Sequence, residues 1–276
     1  MSNQALKIDI DQTLRCRLPR HYRYIPGFVT RWLKRKVHQD ELNDILERSC
    51  GLKGVDFASF VLNDLGITVN VQGMENLKPN RRYIFASNHP LGGLDGLALI
   101  AIMGKHYNGQ IRFLVNDILM VLKPFEDIFL PINKFGRQSR LAASLIDDEY
   151  RSNKQMLTFP AGLCSRLLDD GTIADLKWQK HVVSRAVQDH RDVVPIYVKA
   201  TNSRFFYRLA RLRALLHIKF NIEMLYLPDE MFKKRNTTLH ITVGKPQEWQ
   251  SLDAKHAVDE AARLRDIVYH LNSSCL

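Results

Sequence analysis

Apolar side chains at Leu42, Ile45 and Leu46, and again at Val55, Phe57, Ala58, Val61 and Leu62, fall at helical spacing. Residues 1–65 therefore read as a basic arm followed by helices, a region that Gly66 ends. From there the period drops to two. Ile67, Val69 and Val71 alternate with Thr68, Asn70 and Gln72, a strand pattern, and after the Pro79-Asn80 turn the run Arg82-Tyr83-Ile84-Phe85-Ala86 reads as a second strand. Residues 97–103 are apolar throughout and read as a buried helix. Further strands are expected at residues 111–115, 128–132, 155–159, 193–198 and 239–243. Helices at 140–150, 178–188, 203–216 and 253–271 separate most of them. Strands alternating with helices place neighbouring strands parallel, so the fold class is α/β: a mainly parallel sheet flanked by helices, with a helical N-terminal region. Loops at one edge of such a sheet hold the site. The chain divides into residues 1–65 and 66–276, without internal repeat, low-complexity tract or long linker.

At 276 residues the chain can bury a full core. Charge adds more to the picture than length. A net charge of +11 predicts attraction to something anionic: a membrane surface, nucleic acid or a phosphorylated substrate. Residues 12–39 contain no acid, while Arg15, Arg17, Arg20, Arg23, Arg31, Lys34, Arg35 and Lys36 interleave with Tyr22, Tyr24, Phe28 and Trp32. Such interleaving suits lipid headgroups and single-stranded nucleic acid alike. Residues 193–222 are also acid-free, and within them Phe205, Leu209, Leu212 and Leu216 share a helical stripe beside Arg204, Arg208 and Arg211. A helix of that kind rests at a bilayer interface or packs on the core of its own protein.

The four cysteines, Cys16, Cys50, Cys164 and Cys275, form no Cys-x-x-Cys pair, so neither a disulfide framework nor a zinc site is expected. No other His, Cys and carboxylate cluster has ligand spacing, and no metal is expected. This usage suits a reducing, cytoplasmic setting. The first residues lack an apolar signal region, and no run of about 18 apolar residues is present to span a bilayer. A protein of this design meets a membrane at its surface.

The densest chemistry lies in residues 86–96, Ala-Ser-Asn-His-Pro-Leu-Gly-Gly-Leu-Asp-Gly. Here an apolar strand delivers an imidazole, His89, and a carboxylate, Asp95, onto a glycine-rich turn. A histidine takes a proton from a hydroxyl, and a carboxylate on its far nitrogen fixes the tautomer and stabilises the imidazolium. No Gly-x-Ser-x-Gly nucleophile turn occurs, so the attacking oxygen belongs to a substrate. The plain structural alternative is a turn histidine beside an Asp that caps a helix starting at Gly96.

Four ordered blocks across roughly residues 67–245 resemble the glycerophosphate and lysophospholipid acyltransferase superfamily. Gly73-Met74-Glu75-Asn76-Leu77 resembles its lead-in, and Ser87-Asn88-His89 through Asp95 its first block. Phe129-Leu130-Pro131-Ile132-Asn133-Lys134 with Gly136-Arg137 resembles the second, residues 159–166 the third, and Val194-Pro195-Ile196 the fourth. There are departures. Five residues rather than four separate His89 from Asp95, an excess that Gly92-Gly93 absorbs. Ala161 stands at a glutamate position, Cys164 at an arginine position with Arg166 displaced, and Lys134 where an arginine is usual.

The resemblance implies an acyltransferase domain at residues 66–276 and a basic, membrane-docking arm with helices at 1–65. The implied reaction moves a fatty acyl group from acyl-CoA or acyl carrier protein (acyl-ACP), used as co-substrate with no bound cofactor, to the hydroxyl of a lyso-lipid. His89 is the implied base and Asp95 its orienter; Lys134, Arg137, Gly162 and Arg166 are the implied substrate-binding residues. Amides around Gly162 or Gly92-Gly93 are candidate oxyanion donors. Cys164 reads as a small buried thiol rather than a nucleophile. The altered anion-binding positions favour the carboxylate of an N-acyl amino acid lipid over 1-acylglycerol 3-phosphate as acceptor. The expected location is the inner face of a bacterial cell membrane, on anionic lipid, with no nucleic-acid partner. The rival class is a non-enzymatic basic module that binds membranes or nucleic acid; it accounts for the charge but not for four ordered blocks.

Overall fold

The computed structural model of the protein describes residues 7–132, 140–218 and 220–272. Four helices precede the sheet: α1 (Ile10–Arg17), α2 (Gly27–Lys36), α3 (Gln39–Arg48) and α4 (Gly54–Asp64). The side chain of Asp9 starts α1 by accepting from the Gln12 amide. In α4 the expected stripe of Phe57, Ala58, Val61 and Leu62 is buried. It packs on α5 (Gly93–His106) at close range, because a Cβ on Gly104 would lie 2.3 Å from Val55 Cγ2. The end of the N-terminal region thus shares one core with the sheet.

The strands are β1 (Thr68–Gln72), β2 (Tyr83–Ser87), β3 (Ile111–Asn116), β4 (Phe129–Ile132), β5 (Gln155–Thr158), β6 (Arg166–Leu167), β7 (Ile173–Ala174), β8 (Asp192–Lys199) and β9 (Thr238–Val243). Seven form the main sheet in the order β1-β9-β8-β2-β5-β3-β4, and every neighbouring pair is parallel except β8 with β9. The crossovers are α5, α6 (Arg140–Arg151) and α7 (His181–Gln188); α8 (Arg204–Leu215), α9 (Leu227–Phe232) and α10 (Ala257–His270) complete the order. This is the expected mainly parallel α/β sheet.

β2 is the middle strand and all five of its residues are buried, as a strand covered on both faces requires. Tyr83 and Phe85 face the layer that holds α4 and α5; Ile84 and Ala86 face the layer of Trp178, α7 and α10. The edge strand β1 keeps its alternation of exposed and half-buried residues. Helices α1 and α2 fall in the stretch read as a basic arm, and three further elements had no signal in the pattern. The β6–β7 hairpin pairs only two residues a side, and α9 is six residues long, both too short to carry a period.

Candidate active site

Leaving β2, the chain passes through α5, β3, β4 and α6, returns as β5 on one side of β2, and then crosses to β8 on the other. β2 therefore lies at the point where the winding reverses, and its carboxyl end opens where parallel α/β sheets place ligands. Asn88 closes the strand end: its Nδ2 donates to Val198 O at 3.0 Å and its Oδ1 accepts from Val198 N at 2.7 Å. Asn202 Nδ2 donates to Pro90 O at 2.9 Å, pinning the next turn. The imidazole of His89 is thereby carried on a fixed main chain.

The structure brings His89 and Asp95 together. His89 Nδ1 lies 3.1 Å from Asp95 Oδ2, and the same oxygen accepts from the amides of Leu91 at 2.7 Å and Gly92 at 3.1 Å. Asp95 is fully buried, while the His89 side chain keeps 16% of its surface exposed. One carboxylate oxygen thus both orients the histidine and caps α5. The helix begins at Gly93, three residues before the expected Gly96, because Gly92 at φ +82° turns the chain into it. A Cβ on Gly92 would stand 2.9 Å from Leu227 Cδ1 and 3.3 Å from Cys164 Sγ. The extra residue between His89 and Asp95 is absorbed there, at a position only glycine fills without strain.

The third block packs around this dyad. Phe159 stacks on the His89 ring, centroids 3.8 Å apart and planes within 20°, and Phe113 supports Phe159 at 5.1 Å. The Cys164 thiol is buried within hydrogen-bonding reach of the imidazole. Ser165 N donates to His89 O at 2.8 Å, and His89 N donates to Asp175 Oδ1 at 3.1 Å. Sequence spacing pointed to none of Phe159, Cys164 and Asp175 as neighbours of His89. The one available signal for Asp175 was an acid among apolar residues, three positions before Trp178.

Two of the expected substrate contacts are engaged within the protein. Arg166 is buried, with Nη2 donating to Glu223 Oε1 at 2.9 Å and Nη1 to Cys164 O at 2.8 Å, so its charge is met inside the protein. Glu223, also fully buried, faces Arg213 Nε at 3.1 Å from its other oxygen, so this carboxylate ties the third block to α8. Removing it strands buried positive charge. Glu223→Ala is expected to lower stability by about 3–5 kcal/mol, measured by urea unfolding, and an unchanged midpoint would contradict the assignment. Gly162 lies in the turn after β5, where its amide donates to Phe159 O at 2.9 Å. The Gly92 amide is likewise engaged, by Asp95. Lys134 and Arg137 lie outside the described residues.

Burial opposes the charged form of His89, but the Cys164 sulfur and the Asp95 carboxylate both favour it and prevail, holding the ring's pKa above its ordinary 6.5. Burial also pushes the Asp95 carboxyl above the usual range, against His89 and the two turn amides. A base works when deprotonated. The rising limb of kcat/KM against pH is therefore expected above pH 6.5, and Asp95→Asn, which removes the carboxylate charge, moves that limb to lower pH. A limb at or below 6.5 in the parent protein, or one unmoved in the variant, would contradict the pairing.

An open concavity of about 450 Å³ at α2 and α3 is lined by Arg31, Lys34, Arg35, His38, Asp40 and Glu41 and contains neither dyad residue. Among the described residues no group of three or more His, Cys, Asp and Glu is placed to hold a metal ion. No helix of the described residues is long and apolar enough to cross a membrane. The two basic, aromatic stretches do meet. Tyr226 makes edge contacts with Trp32 of α2 at 6.0 Å and Phe205 of α8 at 5.0 Å, and Lys36 Nζ lies 5.8 Å from its ring. On α8 the buried face is Phe206, Tyr207 and Ala210, which leaves Phe205, Leu212, Leu215 and Leu216 exposed beside Arg204, Arg208 and Arg211.

Comparison with known proteins covers nearly the whole chain. Residues 12–275 match the family model described as Acyltransferase. Two curated relatives, from Bacteroides thetaiotaomicron and Phocaeicola vulgatus, are each 47% identical over 96% of this chain and over 97% and 95% of their own lengths. Both are named lyso-glycine lipid O-acyltransferase. Among solved structures, the 1-acyl-sn-glycerophosphate acyltransferase PlsC from Thermotoga maritima aligns with a TM-score of 0.46 and 15% identity. That alignment covers 87% of this chain and 95% of that one.

Proposed function

This chain belongs to the acyltransferase family, and from that premise we propose that it transfers a fatty acyl group from a thioester donor, acyl-CoA or acyl-ACP, to the hydroxyl of a lyso-glycine lipid. The observation that carries the reading is the His89–Asp95 pair at the carboxyl end of the central strand. An ionised carboxylate only accepts, so Nδ1 bears the ring proton and Nε2 is left as the base. Nε2 takes the proton of the acceptor hydroxyl as its oxygen attacks the thioester carbonyl. The C–S bond then breaks, the ester forms, and the proton passes to the departing thiolate. Asp95 stabilises the imidazolium between those two steps.

The reaction needs a two-chain product to enter a bilayer, and the joined face of α2, Tyr226 and α8 supplies a basic and apolar surface for anionic lipid at the cytoplasmic side. Each basic residue near such a surface contributes about 1 kcal/mol. Replacing Arg208 and Arg211 by glutamate is therefore expected to weaken binding to anionic vesicles by more than tenfold. Co-sedimentation across salt checks this; unchanged binding, or equal binding to neutral vesicles, contradicts it.

Lipid profiling by mass spectrometry of cells lacking the protein tests the acceptor. The proposal expects loss of a diacylated glycine lipid and accumulation of its single-chain precursor. Accumulation of 1-acylglycerol 3-phosphate with glycine lipids intact would overturn it.

A further inference from the structure

The His89 main chain is held on both sides by groups outside its own turn. Its carbonyl accepts from Ser165 N at 2.8 Å, and its amide donates to Asp175 Oδ1 at 3.1 Å. Asp175 is 1% exposed and both its carboxylate oxygens are engaged: Oδ1 also accepts from Ser165 Oγ at 2.6 Å, and Oδ2 from Trp178 Nε1 at 3.0 Å. Its own main chain is fixed to α10, with Asp175 N donating to Tyr269 Oη at 2.7 Å and the Arg265 guanidinium donating to Asp175 O at 2.8 Å. A buried carboxylate costs free energy unless every oxygen finds donors. Here the donors are the backbone of the base, the hydroxyl beside it, and the indole of the facing layer.

We propose that Asp175 is a positioning residue for acyl transfer, which fixes His89 relative to the third block through one shared oxygen. This rests on His89 acting as the base. The Asp95 contact sets the tilt of the imidazole ring, whereas Asp175 sets where the backbone carrying that ring sits, and the two constraints act at opposite ends of the same residue. Displacement of a catalytic group by about 1 Å costs as much as a hundredfold in rate, so the effect belongs in kcat rather than in substrate affinity.

The donor set makes the variants distinguishable. In Asp175→Asn the amide oxygen keeps His89 N–H and Ser165 O–H, but its NH2 then faces the Trp178 N–H, donor against donor. Trp178→Phe removes that conflict. In Asp175→Ala nothing remains to hold the His89 amide, and Trp178→Phe has no conflict to relieve. The experiment measures kcat, KM and thermal midpoint for Asp175→Ala and Asp175→Asn, each with and without Trp178→Phe, beside His89→Ala. All are assayed well below their midpoints. Asp175→Ala is expected to lower kcat by about tenfold to a hundredfold with KM within about twofold. Asp175→Asn lowers kcat less, and Trp178→Phe restores kcat in the Asn background alone. Wild-type kcat in folded Asp175→Ala while His89→Ala is inactive overturns the role of Asp175, as does equal or absent restoration in the two backgrounds. Full activity in His89→Ala would instead overturn the base assignment beneath it.

Discussion

Replacing His89 with alanine lowers kcat by about 10²–10⁴-fold, the range that a positioned general base contributes, with KM little changed because the imidazole acts on the proton in flight rather than on the bound acyl chain. The fold survives this change. Asp95 still accepts from the Leu91 and Gly92 amides, so the carboxylate left behind keeps two of its three donors and continues to cap α5. Phe159 loses a stacking partner but retains Phe113. Circular dichroism matching the parent protein, with kcat reduced as stated, is the expected pair of results. A near-parental rate in a folded His89→Ala protein would remove the base from the mechanism.

Asp95→Asn has the second large effect, a fall in kcat of as much as about 10⁴-fold, with little loss of stability. An asparagine is nearly as good a helix cap as an aspartate, and its oxygen can accept from Leu91 and Gly92 as the carboxylate does. What it lacks is the charge that stabilises the imidazolium, since the one oxygen that keeps the two amides also faces Nδ1. Asp95→Ala separates the two duties. It gives up the cap, costing about 1 kcal/mol, and also strands the turn amides in a buried place. Steady-state rates and thermal midpoints on both variants check this: rate lost in both, midpoint lowered mainly in alanine. If rate and midpoint fell in proportion across the two variants, Asp95 would be a cap and nothing more.

The dyad was legible because its determinants are local. An apolar run leads into the turn, and the seven residues from His89 to Asp95 take up only that turn and the start of α5. The five later strands of the sheet and the amphipathic helices between them were legible for the same reason, since each carries its period within its own residues. Cys164 and Asp175 were not, because their relation to His89 is made by the β5 and β7 loops meeting across the sheet edge. The burial of Arg166 was not legible either, because its partner Glu223 lies 57 positions on. Phe205, Leu209, Leu212 and Leu216 do share a stripe, with Leu209 half-buried, but periodicity does not say which side of α8 finds a partner. Packing of Phe206, Tyr207 and Ala210 decides that, and turns the stripe outward.

The central claim is that the hydroxyl of a lyso-lipid, deprotonated at His89, is the nucleophile. The most direct measurement incubates the purified protein with an acyl thioester and either a lyso-glycine lipid or the same lipid with its hydroxyl replaced by hydrogen, and reads products by mass spectrometry. An added acyl ester is expected on the first acceptor, none on the second, and none from either with His89→Ala. Acylation of the hydroxyl-free lipid, or undiminished ester formation without the imidazole, would contradict it.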